Sequence, residues 1–138
     1  MKLDKSKWPP GPWHQEPDDH MFKVDNMPCM MKRNSVGSWC GYVGITKNHP
    51  WYGHGYDDIV DIDVHGGLTY ARKSNNIIFY ERKGEALWWF GFDCAHYNDF
   101  SPALYKYGFS RLNNTYRTFE WVKAEVESLA RQIKKEIK

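Results

Sequence analysis

An apolar stripe near the C-terminus is the feature that most limits how this chain can fold. Its members recur at steps of three and four residues: Phe119, Val122, Val126, Leu129, Ile133 and Ile137. That spacing predicts an amphipathic helix, which Asn114 or Thr115 would cap. The stripe needs a surface to pack on, and the segments before it read as short strands and turns. We therefore expect the helix to lie across a sheet, and a groove on a second copy is the alternative.

Short runs of β-forming residues, separated by turn signals, precede the helix. They are Met21–Val24, Cys29–Arg33, Trp39–Ile45, Ile77–Glu81 and Trp88–Cys94. The first three follow one another closely enough to predict an antiparallel meander. The predicted fold class is α+β, an antiparallel curved sheet with one long C-terminal helix packed across it. Residues 21–138 are assigned to this single domain.

The N-terminal segment, residues 1–20, is predicted to be an extended arm rich in proline and tryptophan. Its four prolines exclude a long helix or a central strand: Pro9, Pro10, Pro12 and Pro17. The arm also carries Trp8 and Trp13. We expect these rings to pack back on the domain, and a clamp on a neighbour or a ligand is the alternative.

Charge and hydropathy exclude several classes of partner. With 19 basic and 17 acidic residues the net charge is only +2, which does not favour duplex nucleic acid. No apolar run approaches the length of a membrane span, and no signal-peptide pattern follows the first lysines. The three cysteines are odd in number and lack CxxC spacing, which indicates reduced thiols rather than disulfides or a structural zinc site. These features predict a cytoplasmic protein.

The stretch Asp61–Tyr70 (DIDVHGGLTY) gathers acidic and imidazole side chains. If it forms a strand, its side chains alternate between two faces. The apolar residues then face a core, and the other face carries Asp61, Asp63 and His65. The sequence therefore predicts a polar site on one side of this strand.

A second stretch, Trp88–Asp99, repeats the alternation of apolar and polar residues. Trp89 and Asp93 would share one face of a strand. If the two stretches pair, Asp93 joins Asp63 and His65 on the same surface.

Three roles fit the polar residues of the two stretches. Histidines and carboxylates can hold a metal ion, but no HxH or HExxH spacing occurs and we assign no metal ligand. His65 or His96 could act in acid–base catalysis, with Asp63 or Asp93 holding one tautomer. In the third role the same groups recognise a ligand, since carboxylates accept hydrogen bonds from ribose hydroxyls and base amines. Aspartates that only tie loops to backbone N–H groups are the structural alternative.

Aromatic residues beside the polar groups favour recognition, because flat rings can stack on a nucleobase. The candidate ligand-binding residues are Asp61, Asp63, His65, Trp89, Asp93, His96, Asp99, Trp51, Tyr52 and Tyr70. If the protein is an enzyme, the candidate catalytic residues are His65 and His96. The preferred interpretation requires no cofactor. The loops Thr46–Tyr56 and Ala95–Gly108 are expected to cover the same end of the sheet.

Five segments resemble a set of small proteins encoded by phages and prophages. They are CGYVG at Cys40–Gly44, HPWYG at His49–Gly53, YDDIVDIDVHGGLTY at Tyr56–Tyr70, WWFGFDCAH at Trp88–His96, and the helix start YR-x-x-x-WV at Tyr116–Val122. The resemblance spans roughly residues 12–133 and implies the cytoplasm of an infected or lysogenic bacterial host. It does not specify one activity, but small phage proteins of this size include several that bind or cleave nucleotide immune signals of the host.

The function expected from residues and resemblance together is binding of a small nucleotide-type ligand. Sequestration of a host immune signal by a phage anti-defence protein is the form this would take, and a homo-oligomer is compatible with it. A hydrolase or phosphodiesterase that uses His and Asp residues on a nucleotide signal is one alternative. A phage accessory protein that binds a host protein through its aromatic arm is the other.

Overall fold

The computed structural model describes residues 3–74 and 86–136, and within them it contains a five-stranded sheet and one long helix. The elements are β1 (Asp19–Val24), β2 (Met27–Arg33), β3 (Trp39–Ile45), β4 (Tyr70–Lys73), β5 (Trp88–Asp93) and α1 (Phe119–Lys134). The strands lie in the order β1-β2-β3-β5-β4, and every neighbouring pair is antiparallel. This confirms the α+β class and the meander of the first three strands. The predicted strand Ile77–Glu81 lies outside the described residues.

The turn between β1 and β2 shows how local sequence sets the register. Asp25 and Asn26 both have positive φ, 49° and 68°. These residue types tolerate that conformation, and a two-residue turn of this kind matches the twist of an antiparallel pair. Val24 therefore pairs with Met27, and the whole hairpin is in register.

Helix α1 buries four members of the predicted stripe against the sheet, chiefly against β2 and β3: Val122, Val126, Leu129 and Ile133. Phe119 is partly buried, and Ile137 lies outside the described residues. Its N-cap is Thr118, whose hydroxyl accepts a hydrogen bond from the Trp121 N–H at 3.2 Å. The predicted cap at Asn114 or Thr115 is wrong, because the Asn114 side chain accepts from the Arg111 N–H in an earlier turn. Within the described part of the chain, no helix has the length and apolar character that a membrane crossing requires.

The central strands of the sheet, β2, β3 and β5, are buried on both faces. Buried side chains between sheet and helix form one cluster that includes Phe90 and Phe92. A second cluster lies on the opposite face: Met30, Cys40, Tyr42, Leu87 and Trp89, with Tyr70 packed against it. The alternation along β5 is therefore as predicted, but the face expected to be exposed to solvent packs into a second apolar core.

The stretch Asp61–Tyr70 is not a strand, except for its last residue, where β4 begins. Positive φ angles at Asp61, Gly66 and Gly67, between 64° and 76°, break the extended conformation. Helix α1 holds the stretch instead, since the Gln132 side chain bonds both the N–H and the C=O of Asp63 at 2.8 Å. The predicted alternation of faces therefore does not apply to residues 61–69.

The N-terminal arm packs on the domain. Trp13 is 5% exposed and stacks on Phe100, with ring centroids 5.0 Å apart. Glu16 and Asp18 both pair with the buried Arg33 of β2, at 2.9 and 3.1 Å. The rings and charges of the arm thus belong to the fold. This is the predicted packing on the domain, rather than the alternative of a clamp on a neighbour or a ligand.

Candidate functional site

His65 and Asp99 form the centre of the candidate site. The Nε2 atom of His65 donates to Oδ2 of Asp99 at 2.8 Å. The same carboxylate accepts from the His96 backbone N–H at 3.1 Å and, through Oδ1, from Nε of Arg117 at 3.0 Å. Its side chain is only 2% exposed. Burial by itself would raise the pKa of Asp99, but these hydrogen bonds outweigh it and hold the pKa below its usual value.

Helix α1 positions the His65 residue. The edge of its ring meets Trp121, with centroids 5.2 Å apart and planes at 89°. Its backbone N–H donates to Oε1 of Glu125 at 2.9 Å. The guanidinium of Arg117, which precedes the helix, lies over the same tryptophan, 4.6 Å from the ring centroid. Trp121 therefore contacts both the imidazole and the arginine that holds its carboxylate partner.

His96 places a second imidazole beside the first. The two ring centroids are 5.4 Å apart, with an interplanar angle of 71°. The Nε2 atom of His96 lies 3.4 Å from Oδ1 of Asp93. Asp93 is itself held, since it accepts from the Thr69 hydroxyl at 3.1 Å and from the Ala95 N–H at 3.0 Å. We call His65, His96, Asp93 and Asp99 the histidine cluster.

One atom of the histidine cluster is left without a hydrogen bond. The Nε2 atom of His96 is buried and has no hydrogen-bond partner among the described residues, because its 3.4 Å approach to Asp93 does not have hydrogen-bond geometry. The ring lies directly against the backbone of Gly66. A Cβ at that position would come within 2.0 Å of Nε2, so only glycine allows this approach.

Two members of the histidine cluster, His96 and Asp99, line an open cleft of about 570 Å³. Its walls include His96 and Asp99 together with amide and basic side chains, Asn98, Arg111, Asn113 and Asn114. Two lining rings are largely exposed, Tyr97 at 95% and Phe109 at 79%. A cleft with convergent polar groups and free rings has the makeup of a small-ligand site.

Four of the sequence-predicted site residues come together, namely the members of the histidine cluster. Their pairing differs from the predicted one, because Asp99 rather than Asp63 or Asp93 bonds His65. Asp61 and Asp63 have exposed side chains and lie on the irregular stretch before the cluster.

The predicted stacking rings are elsewhere. Trp89 is fully buried in the second apolar cluster, and Tyr70 packs edge-on against Tyr42 at 5.1 Å. Trp51 meets Phe90 edge-on at 6.3 Å, and the Tyr52 hydroxyl donates to the Ala86 C=O at 3.0 Å. None of these four rings contacts a described residue of the histidine cluster in the interactions above.

The two loops expected to cover one end of the sheet lie at opposite ends. The His49 ring bonds the Ile133 C=O near the end of α1, and the His54 C=O accepts from Nε1 of Trp88 at the start of β5. The loop after β5 instead meets the start of β3, where the Cys94 N–H donates to the Trp39 C=O. The prediction that the two loops cover the same end of the sheet is therefore wrong.

Sequence reasoning missed Arg117, Trp121 and Glu125, which position His65 and Asp99. Trp121 and Glu125 differ by four in number, and this spacing places their side chains on one side of the helix. That spacing was a signal available in the sequence, whereas Arg117 precedes the helix and gave none.

Comparison of the chain with protein-family models, with curated proteins and with solved structures finds no match. The histidine cluster and the cleft beside it are therefore the features from which a function can be inferred.

Proposed function

We propose that this protein is a hydrolase that acts on a small nucleotide-type substrate at the histidine cluster. The observation that carries the proposal is the meeting of two imidazoles, each beside its own carboxylate: His65 with Asp99 and His96 with Asp93. Two groups that can each accept and return a proton are what hydrolysis needs on the two sides of a scissile bond. A purely structural histidine requires only one satisfied partner.

The proposed reaction adds water across a phosphoester bond. The water oxygen forms a bond to phosphorus, and the bond from phosphorus to the leaving oxygen breaks. One proton leaves the water and one proton is delivered to the leaving oxygen, so the net change is the addition of one water molecule. His65 is the better-oriented group for activating water, because Asp99, Trp121 and Glu125 fix its ring and backbone.

The cleft supports a substrate of nucleotide size. Its volume falls in the usual range for small-molecule sites. Arg111 and the asparagine side chains offer donors for phosphate and for base edges, and Phe109 offers an exposed ring for stacking. The resemblance to small phage proteins makes nucleotide immune signals of a bacterial host the first substrates to test.

A second candidate function is sequestration of the same ligand without turnover. The observation that favours it is the exposure of Tyr97 and Phe109 on the walls of one cleft, since exposed rings can stack on the bases of a ligand. In this case the histidine cluster would act as a recognition surface, and phage anti-defence would proceed by removal of the signal.

One experiment separates the two candidates. The purified protein is incubated with cyclic dinucleotides and ADP-ribose derivatives, then heat-denatured, and the released compounds are analysed by chromatography. Altered compounds support the hydrolase, and uptake with intact release supports sequestration. If no compound is altered or taken up, both candidates are wrong and a host-protein partner becomes the leading hypothesis.

Matched variants connect the result to the cluster. His65→Ala and His96→Ala should abolish turnover while circular dichroism stays unchanged. His54→Ala is the control, since the His54 side chain is exposed and its ion pair with Asp58 lies outside the cluster. Turnover that survives in both cluster variants contradicts the assignment of the site.

A further inference from the structure

We infer that His65, His96 and Asp99 bind a divalent transition-metal ion. The inference deepens the proposed function and relies on it only for the use of the ion, since the binding itself can be measured separately. Each of the three residues offers one ligand atom, and these atoms all lie within 4.8 Å of one another. Two nitrogens and one carboxylate oxygen are a donor set used in many zinc, manganese and iron sites.

The approach of His65 to Asp99 already has the dimensions of two ligands on one ion. At 2.8 Å, Nε2 and Oδ2 are close enough to share a single ion at ordinary bond lengths near 2 Å. A bound ion would take the place of the proton that the two atoms now share. No backbone rearrangement between residues 65 and 99 is needed to bring them to this distance.

The orphaned atom of His96 supplies a second, independent observation. A buried imidazole nitrogen without a partner costs free energy, because it has given up water and gained nothing in return. A metal bond would satisfy that nitrogen. A proton relay gives it no partner, because the nearest carboxylate oxygen, on Asp93, has the distance but not the geometry of a hydrogen bond.

The charge around the histidine cluster also favours a cation. Three carboxylates surround the two imidazoles: Asp93, Asp99 and Glu125. Arg117 pairs with Asp99 and Arg111 lies on the wall of the adjoining cleft, so the acidic groups still outnumber the basic ones. A phosphate group brought here alone would meet excess negative charge, whereas a divalent ion would neutralise it and attract the phosphate.

The groups around the three ligands resemble the outer shell of a metal site. The Nε atom of Arg117 holds Oδ1 of Asp99 and so leaves Oδ2 aimed at His65. Trp121 packs against the His65 ring and excludes water from one side. Outer groups that orient the ligands in this way are a regular part of such sites.

The donor set selects the class of ion. Mg²⁺ and Ca²⁺ prefer sites made wholly of oxygen. Imidazole nitrogens instead favour first-row transition ions, and Zn²⁺ is the probe we choose. In the hydrolase, such an ion would lower the pKa of a bound water and polarise the phosphoryl oxygen. It would then take over the activation of water from His65, because an imidazole nitrogen bound to a metal cannot also accept a proton.

The test uses the full chain, stripped with a chelator and dialysed against Zn²⁺, followed by elemental analysis and titration calorimetry. We expect one ion per chain in the wild type and in His54→Ala. His65→Ala and His96→Gln should weaken binding at least about 100-fold, because loss of a ligand should cost no less than loss of an outer-shell group. His96→Gln is included because the His96 side chain is partly exposed. This variant should therefore fold even if His65→Ala does not.

Co²⁺ gives a second measurement that does not depend on variants. Bound to nitrogen and oxygen ligands, it should show visible absorption bands that vanish as the pH falls and the imidazoles take up protons. Substoichiometric Zn²⁺ in the wild type, or binding undiminished in both variants, overturns the inference.

The metal site and the hydrolase can fail separately. Uptake of Zn²⁺ that depends on His65 and His96, without turnover of any nucleotide in the panel, sustains the metal site and contradicts the hydrolase. Turnover that persists after chelation, without stoichiometric uptake, sustains the hydrolase and contradicts the metal site.

Discussion

The Nε2 atom of His65 lies 2.8 Å from Oδ2 of Asp99, although the two residues are 34 positions apart. His65 comes from the irregular stretch before β4, and Asp99 comes from the turn after β5. That turn is closed by its own hydrogen bonds, since the His96 N–H donates to the Asp99 side chain and the Asp99 N–H donates to the His96 C=O at 2.9 Å. One short turn thus delivers both the second imidazole and the buried carboxylate to the first imidazole.

The stability of the protein should depend on the charge of Asp99. Its folded-state pKa is held below the usual value, whereas in the unfolded chain it returns to about 3.9. The ionised carboxylate therefore stabilises the fold above about pH 4, and this stabilisation is lost as the pH falls from there through the lower folded-state pKa. Urea denaturation of the wild type between pH 6 and pH 3 should show the loss.

The Asp99→Asn variant tests the origin of that pH dependence. It should be less stable at neutral pH by about 1–3 kcal/mol, because the buried partners of the carboxylate lose a charged acceptor. Its stability should also fall less steeply with acid. Asp58→Asn, at an exposed carboxylate, is the control. Equal acid sensitivity in Asp99→Asn and the wild type would show that other groups are responsible.

Local sequence was enough to predict most of the elements that build the fold, although not β4. The stripe of α1 was found from its helical repeat, and the meander β1–β3 from short runs of β-forming residues between turn signals. The expected second strand began at Cys29, two residues late, because Asp25 and Asn26 alone form the turn of the first hairpin. In these segments local sequence and tertiary packing favour the same structure.

Periodicity could not predict the conformation of the stretch before β4 or the burial of the second face of the sheet. Positive φ at Asp61 and Gly66 breaks an alternation that reads as a strand, and the anchors that hold this stretch come from Gln132 and Glu125 on the helix. Likewise, nothing along β5 reveals that the face carrying Trp89 is buried. Both depend on contacts between distant parts of the chain.

The residue types of the site were predictable, but their partners were not. Histidines and aspartates stood out as candidates because they are clustered in sequence. Pairing His65 with Asp99 instead requires the turn after β5 to fold back on itself, and orienting the pair requires Arg117 and Trp121 of another segment. The alternation of side chains along two predicted strands could not reveal that geometry.

Arg33 should be among the most sensitive positions in the protein. Its buried guanidinium bonds Glu16, Asp18 and the Gly37 C=O, and lies 4.3 Å from the Trp39 ring. Arg33→Met removes the cation that pairs with Glu16 and leaves Asp18 with Lys5 alone, so we expect a loss of about 3–5 kcal/mol in the free energy of unfolding.

The control for Arg33 is Arg72→Met, at an exposed arginine over the Tyr70 ring, which should change stability by less than about 0.5 kcal/mol. Limited trypsin digestion gives a second measurement, because release of the N-terminal arm in Arg33→Met should speed cleavage at Lys5 and Lys7. A variant as stable and as resistant as the wild type would mean that the arm is held by its rings alone.

The three thiols should be unreactive in the folded protein. Cys29, Cys40 and Cys94 are all buried, and burial raises the pKa of Cys29 and of Cys40 to about 12. Burial also raises the pKa of Cys94. Because the thiolate is the reactive form, an aromatic disulfide reagent should label no thiol in buffer and all three in denaturant. Rapid labelling of any of the three thiols in buffer would contradict this expectation.

Alanine substitutions at Gly66 and Gly67 distinguish an effect on the site from an effect on the stability of the fold. Both have positive φ, 70° and 76°, so alanine at either should cost about 1 kcal/mol of stability through backbone strain alone. Only at Gly66 does the new Cβ clash, coming within 2.0 Å of Nε2 of His96, while the Gly67 Cβ has no atom of a described residue within 4 Å. The His96 ring, at the end of a movable side chain, should give way rather than the backbone.

Gly66→Ala and Gly67→Ala should therefore unfold at similar urea concentrations, yet only Gly66→Ala should lose Zn²⁺ uptake and nucleotide turnover. If both variants keep these activities, the close approach of His96 to the backbone has no part in the site, and the two imidazoles act independently.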